Sequence, residues 1–196
     1  MLLDEQLYQR WLLQLQTWAA DGRLVSAGVD ALRLKRGGSK QKLRRIANRL
    51  AKGETRDLPP VEMLPGSAMP GAAGAFAQAT GTIYINQDWL QASNTKEIIN
   101  ILTEEYGHYL DNQLNKTDTA GDEGAVFAER LLGAGNNEEP GHISSHLLEE
   151  DDRAISMSTD NFLQQNSQYS TERQAMTTSL AHWSLIIFMD MGAMTP

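Results

Sequence analysis

Thr103-Glu104-Glu105-Tyr106-Gly107-His108-Tyr109-Leu110-Asp111, followed by Asp122-Glu123-Gly124, is the stretch on which the fold turns. Ile98, Ile99, Leu102, Tyr106, Tyr109 and Leu110 recur at helical intervals and make one apolar face. Glu97, Glu104, His108 and Asp111 gather in a narrow stripe opposite, with Glu105 at its edge. The stripe sets a His one helical turn from two Glu residues, the spacing at which side chains converge on one ion. A solvated helix face has the same pattern, and periodicity alone leaves both readings open. Two features weigh toward a site: Gly107 leaves room beside His108 for a metal and substrate, and Gly121-Asp122-Glu123-Gly124 brings an acid to the start of a following helix.

Working outward, Ser93 or Asn94 caps the central helix, which runs from Thr95 to about Asn115, and the next helix covers about Glu123 to Leu132. Upstream, Thr82-Ile83-Tyr84-Ile85-Asn86 is β-branched and aromatic and reads as a strand; Val61-Glu62-Met63-Leu64 is a shorter one, and Pro65 to Gly74 a Gly/Ala/Pro-rich loop. Asp57-Leu58-Pro59-Pro60 cannot continue a helix, because each proline removes a donor and restrains the residue before it. Before it lie three amphipathic helices: residues 2–20 with Leu3, Leu7, Trp11, Leu15 and Trp18; Leu24 to Leu34; and one capped by Ser39 that buries Leu43, Ile46 and Leu50. The fold class is α+β, a small mixed sheet with a site helix, preceded by N-terminal helices. The expected division is residues 1–57, a helical region; 58–155, the site-bearing domain; and 156–196, a polar tail.

There is no cysteine, so disulfides, thiolate metal sites and a cysteine nucleophile are excluded, and His, Asp and Glu are the only strong ligands. The net charge of −8 conceals an asymmetry: residues 1–57 carry 12 Lys/Arg against 6 Asp/Glu, and the remainder 5 against 19. The basic cluster from Lys35 to Arg49 admits a nucleic-acid reading, but a basic segment balancing an acidic body is the simpler one, and no nucleic-acid partner is expected. No apolar stretch is long enough to span a bilayer, and the N-terminus lacks the pattern of a secretory signal, so the expected location is cytoplasmic, or exported by a signal-independent route.

The order strand, helix with Glu-x-x-His, then an acid on the next helix resembles the gluzincin branch of zincin metallopeptidases, with Glu104 where the first His of His-Glu-x-x-His would stand. The run from Leu58 to about Gly133, with Leu64-Pro65-Gly66, Gly81-Thr82-Ile83-Tyr84, Glu104-Glu105-Tyr106-Gly107-His108 and Asp118 to Glu123, is also similar to a domain of unassigned activity in large bacterial, notably cyanobacterial, proteins with calcium-binding repeats. The resemblance implies a zincin-like fold and a peptidase or amide hydrolase acting on a peptide or protein substrate. It makes Glu104, His108 and Glu123 ligands of one divalent metal, zinc foremost, with manganese or calcium as alternatives. Glu105 becomes the general base for a metal-activated water, and Tyr84 and its neighbours an edge strand that pairs with the substrate.

Asp111, one turn past His108, is expected to orient the imidazole as ligating histidines require. Two carboxylates and one imidazole neutralise a divalent ion, so water there should be less acidified than at a two-histidine site. A non-catalytic module binding calcium or a protein partner is therefore the alternative reading. His142 and His146, if helical, stand one turn apart as an oxyanion-stabilising pair, a separate site or surface residues, and His182 beside Trp183 reads as packing. No Walker loop, Gly-x-Ser-x-Gly elbow or twelve-residue calcium loop is present.

Overall fold

The computed structural model describes residues 5–133 apart from Arg36, Asp118 and Ala120. His142, His146, His182 and the tail expected at 156–196 lie outside the described residues. Among the described residues six α-helices and three strands follow in the order α1 (Glu5–Ala20), α2 (Arg23–Ala31), α3 (Gly37–Leu50), β1 (Val61–Leu64), β2 (Gly74–Ala77), β3 (Thr82–Asn86), α4 (Gln87–Ala92), α5 (Thr95–Leu114) and α6 (Glu123–Leu132), with a 3-10 turn at Gly66–Ala68. Helices with a small sheet make this an α+β protein. None of the described helices is long and apolar enough to cross a membrane.

The three N-terminal helices and the sheet-bearing region share one hydrophobic core. Trp11 and Trp18 of α1 are buried, and Trp11 meets Tyr106 of α5 edge to face with ring centroids 6.0 Å apart. Leu24, Leu43 and Leu50 add the inner faces of α2 and α3. Pro59-Pro60 thus marks a change from helix to strand within a common core.

Strand order is β1-β3-β2, with β1 parallel and β2 antiparallel to β3. β3 is the centre of the sheet, buried along its whole length, and both its flanks are paired. This corrects the expectation for Tyr84: it faces Glu62 on one side and Ala75 on the other, and a central strand has no free backbone to offer a substrate. β2 begins at Gly74, where the expected loop ends, and runs through Ala75–Ala77, a stretch to which the sequence pattern assigns no element. Its Gly-Ala-Phe-Ala sequence has weak strand propensity, but a tight turn returns it against β3, with Gly81 at φ +67 and its N–H donating to Ala77 O at 2.8 Å. Gly74 then lies so close to α5 that a Cβ would stand 2.5 Å from Ile101 Cγ2 and 2.9 Å from Glu105 Oε1.

Asn94 caps α5: its side chain accepts from the N–H groups of Lys96 and Glu97, while Glu97 accepts from the Asn94 N–H. Glu97 is therefore spent on the cap and leaves the stripe. Ser39 does not cap α3; its hydroxyl donates to Leu114 O at the end of α5, where Lys42 also donates to Gln113 O.

Candidate metal centre

α6 crosses α5 at two glycines. A Cβ on Gly107 would stand 2.8 Å from Gly124 Cα and 3.1 Å from Phe127 Cβ, so Gly107 makes room for the helix crossing and not for a metal and substrate. The crossing covers the polar stripe of α5, which is accordingly no solvated face: Glu105 is 6 % exposed, Asp111 2 %, and Glu104 and His108 are half-buried. Gly124 cradles the imidazole, since a Cβ there would lie 2.4 Å from His108 Nε2 and 2.7 Å from Glu104 O.

The first turn of α6 supplies two acids with different tasks. Glu123 is 5 % exposed, and its Oε1 lies 3.0 Å from His108 Nδ1, an N–H donating to a carboxylate. Asp122 caps the helix: its Oδ1 accepts from Ala125 N–H at 2.8 Å and stands 3.7 Å from His108 Nε2. Its other oxygen, Oδ2, is buried without a hydrogen-bond partner among the described residues. An ionised oxygen withdrawn from water in this way is costly unless a donor or a cation meets it.

One ligand atom each from Glu104, His108 and Asp122 lies within 4.8 Å of the others, a group able to hold a metal ion. The expected ligand Glu123 stands instead on the Nδ1 side of the ring, where it fixes the orientation of the imidazole. Asp111, expected in that orienting role, faces away: its carboxylate accepts from Asn115 Nδ2, Thr119 Oγ1 and Thr119 N–H. Asp122 was legible as an acid beside Glu123, and its place before an apolar helical run is an N-cap signal. Which of the two neighbours faces Nδ1 and which Nε2 is set by the residue at which α6 begins.

Burial alone would lower the His108 pKa. The Glu123 hydrogen bond and the charges of Glu105, Glu123 and Asp122 outweigh it and push the value up from 6.5 to about 10. The imidazolium is thus the counter-charge of an anionic cluster. The donor set of two carboxylates and an imidazole, with a buried oxygen aimed at no described donor, fits a divalent cation. Comparisons of the chain with protein families, with curated proteins and with solved structures found no match.

Proposed function

We propose that the chain is a zincin-like, metal-dependent peptidase or amide hydrolase whose metal is held by Glu104, His108 and Asp122. The observation that carries this reading is the convergence of those three side chains to within 4.8 Å, one of them, Asp122, also holding a buried oxygen without a partner among the described residues. Bound there, a divalent cation would supply Lewis acidity toward a carbonyl and would acidify water at the site. The residues have separate tasks. Glu123 holds the imidazole through Nδ1, which leaves Nε2 on the side of Asp122. Glu105, buried against β2 and close enough to His108 to raise its pKa, takes the proton of the attacking water and returns it to the leaving amine.

The strand offered to an extended peptide is β2 in place of β3. It pairs with β3 on one side only among the described strands, and it runs past Glu105 at Gly74. The resemblance to gluzincins agrees with the order of sheet, Glu-x-x-His helix and acid-bearing helix.

A second reading is favoured by the ligand set itself. Two carboxylates leave a divalent ion neutral, which suits a harder cation with a structural role, calcium or manganese. Elemental analysis after dialysis, on the wild type, His108→Ala and Asp122→Ala, tests the metal site; near-stoichiometric metal lost in both variants is expected, and a metal-free wild type would overturn it. Turnover of a peptide library that disappears in Glu105→Gln while metal is retained supports the hydrolase. Metal that raises the Tm of a protein without turnover establishes the structural reading.

A further inference from the structure

We propose that Asp111 is a positioning residue for this cluster, acting through the α5–α6 connection and the end of α2. The proposal rests on the metal-site reading and extends it to residues that touch no ligand. Asp111 is almost fully buried, and both its carboxylate oxygens are engaged by the connection that follows α5. Oδ1 accepts from Asn115 Nδ2 and from the Thr119 hydroxyl, each at 2.6 Å, and Oδ2 accepts from Thr119 N–H at 3.1 Å.

The same two partners reach the N-terminal helices. Asn115 Nδ2 donates to Leu32 O at 2.9 Å, and the Thr119 hydroxyl lies 3.4 Å from that oxygen. Leu32 O is available because α2 stops there: Arg33 adopts φ +46, and Leu34 N–H turns back to Val29 O. The chain leaving α5 is therefore tied down at both Asn115 and Thr119, and Asp122 and Glu123 follow within four residues of the second tie.

Asp122 and Glu123 are two of the four acids placed around His108, with Glu104 and Glu105. Untied, the connection would have to be ordered each time a cation bound, and affinity would fall by that cost. The tie also explains why helices far from the cluster in sequence belong to it: α2 supplies the carbonyl on which the connection is anchored.

The test is calorimetric titration of the full chain with Mn²⁺ alone, for wild type, Asp111→Asn, Thr119→Val and Thr119→Ser. Ile46→Val serves as a control destabilised at a distant core position. Asp111→Asn and Thr119→Val are expected to weaken binding by about tenfold or more. Thr119→Ser, which keeps the hydroxyl, should bind within about twofold of wild type, as should the core control whatever its Tm. Equal affinity in wild type and Thr119→Val would overturn the proposal.

A metal-independent reading comes from the His108 Nδ1–H proton resonance in chelator. It should be present in wild type and Thr119→Ser and lost or broadened in Thr119→Val. If the wild type binds no Mn²⁺, this resonance decides the positioning role by itself: its survival in Thr119→Val overturns that role. Should Asp111→Asn fail to fold, the threonine pair carries both measurements.

Discussion

Two aspartates flank the α5–α6 connection, Asp111 buried and Asp122 partly buried, and the fold treats them oppositely. Asp111 has every oxygen met by a protein donor, from Asn115 and Thr119. Asp122 has one oxygen spent on capping α6 and the other buried without a described partner, and the residue groups with Glu104 and His108. A satisfied carboxylate is a structural tie. An unsatisfied one in an anionic cluster is a candidate site for a cation, because a buried carboxylate oxygen without a donor favours positive charge nearby.

The strongest way to sharpen this contrast is pH. In chelator the only positive charge drawn into the cluster from its own residues is the His108 imidazolium, with its pKa raised from 6.5 to about 10. A raised pKa means that the protonated ring stabilises the fold fully below pH 6.5 and that this contribution disappears as pH rises through about 10. The Tm measured in chelator at pH 6, 8 and 10.5 should fall across the series, and the fall should be much reduced in His108→Gln. A flat profile for the wild type would mean that the cluster is not held together by this charge.

Replacing Asp111 with Ala takes the acceptor from Thr119 N–H and leaves Asn115 Nδ2 and the Thr119 hydroxyl to share Leu32 O, and should cost about 3 kcal/mol in chelator, read by denaturant unfolding. Little change would remove the contrast at its structural end. Next in size, Gly107→Ala pushes a Cβ against the Gly124 backbone and should cost about 2 kcal/mol, with weaker metal binding because the helix crossing itself is forced apart. Unchanged stability and affinity would show that the crossing can relax.

The smallest effect on stability belongs to Asp122→Ala. It loses an N-cap worth about 1 kcal/mol but also relieves like-charge repulsion, so its Tm in chelator should stay close to that of the wild type. The Tm rise on adding Mn²⁺ should vanish in the same variant. If Asp122→Ala is as destabilised as Asp111→Ala and still responds to metal, the two aspartates do the same work and the distinction fails.

Much of the architecture was legible because it follows from local rules. The apolar period of Ile98 to Leu110, the Asn94 cap and the β-branched run Thr82–Asn86 each specify their own element. β2 was not legible: Gly74-Ala75-Phe76-Ala77 has no strand signal of its own and is made a strand by pairing with β3 and by the fit of Gly74 against α5. α4 is a six-residue helix started by Asn86, a residue already read as the end of a strand. Its side chain accepts from Asp88 and Trp89 N–H while donating to Met69 O and Ala72 O, a junction formed only once the earlier loop is in place.

At the candidate site, the residue types and the helix that carries them could be read along the chain, since Glu104, Glu105 and His108 share a helix whose period fixes their directions. The roles of Asp111, Asp122, Glu123 and Tyr84 could not, because they depend on contacts between elements. Whether Asp111 faces an imidazole or a turn depends on the path of the chain from Asn115 to Thr119. Whether Asp122 or Glu123 approaches Nε2 depends on where α6 starts and how closely Gly124 lets it pass. Whether Tyr84 sits at an edge depends on a strand that has no signal in the sequence. The sequence by itself determined the helices, the principal strand and the stock of ligating side chains, because these follow from spacing along one chain. Only the tertiary structure decided which carboxylate is satisfied and which keeps a buried oxygen without a described partner, because a hydrogen-bond balance is settled by partners brought from distant parts of the chain.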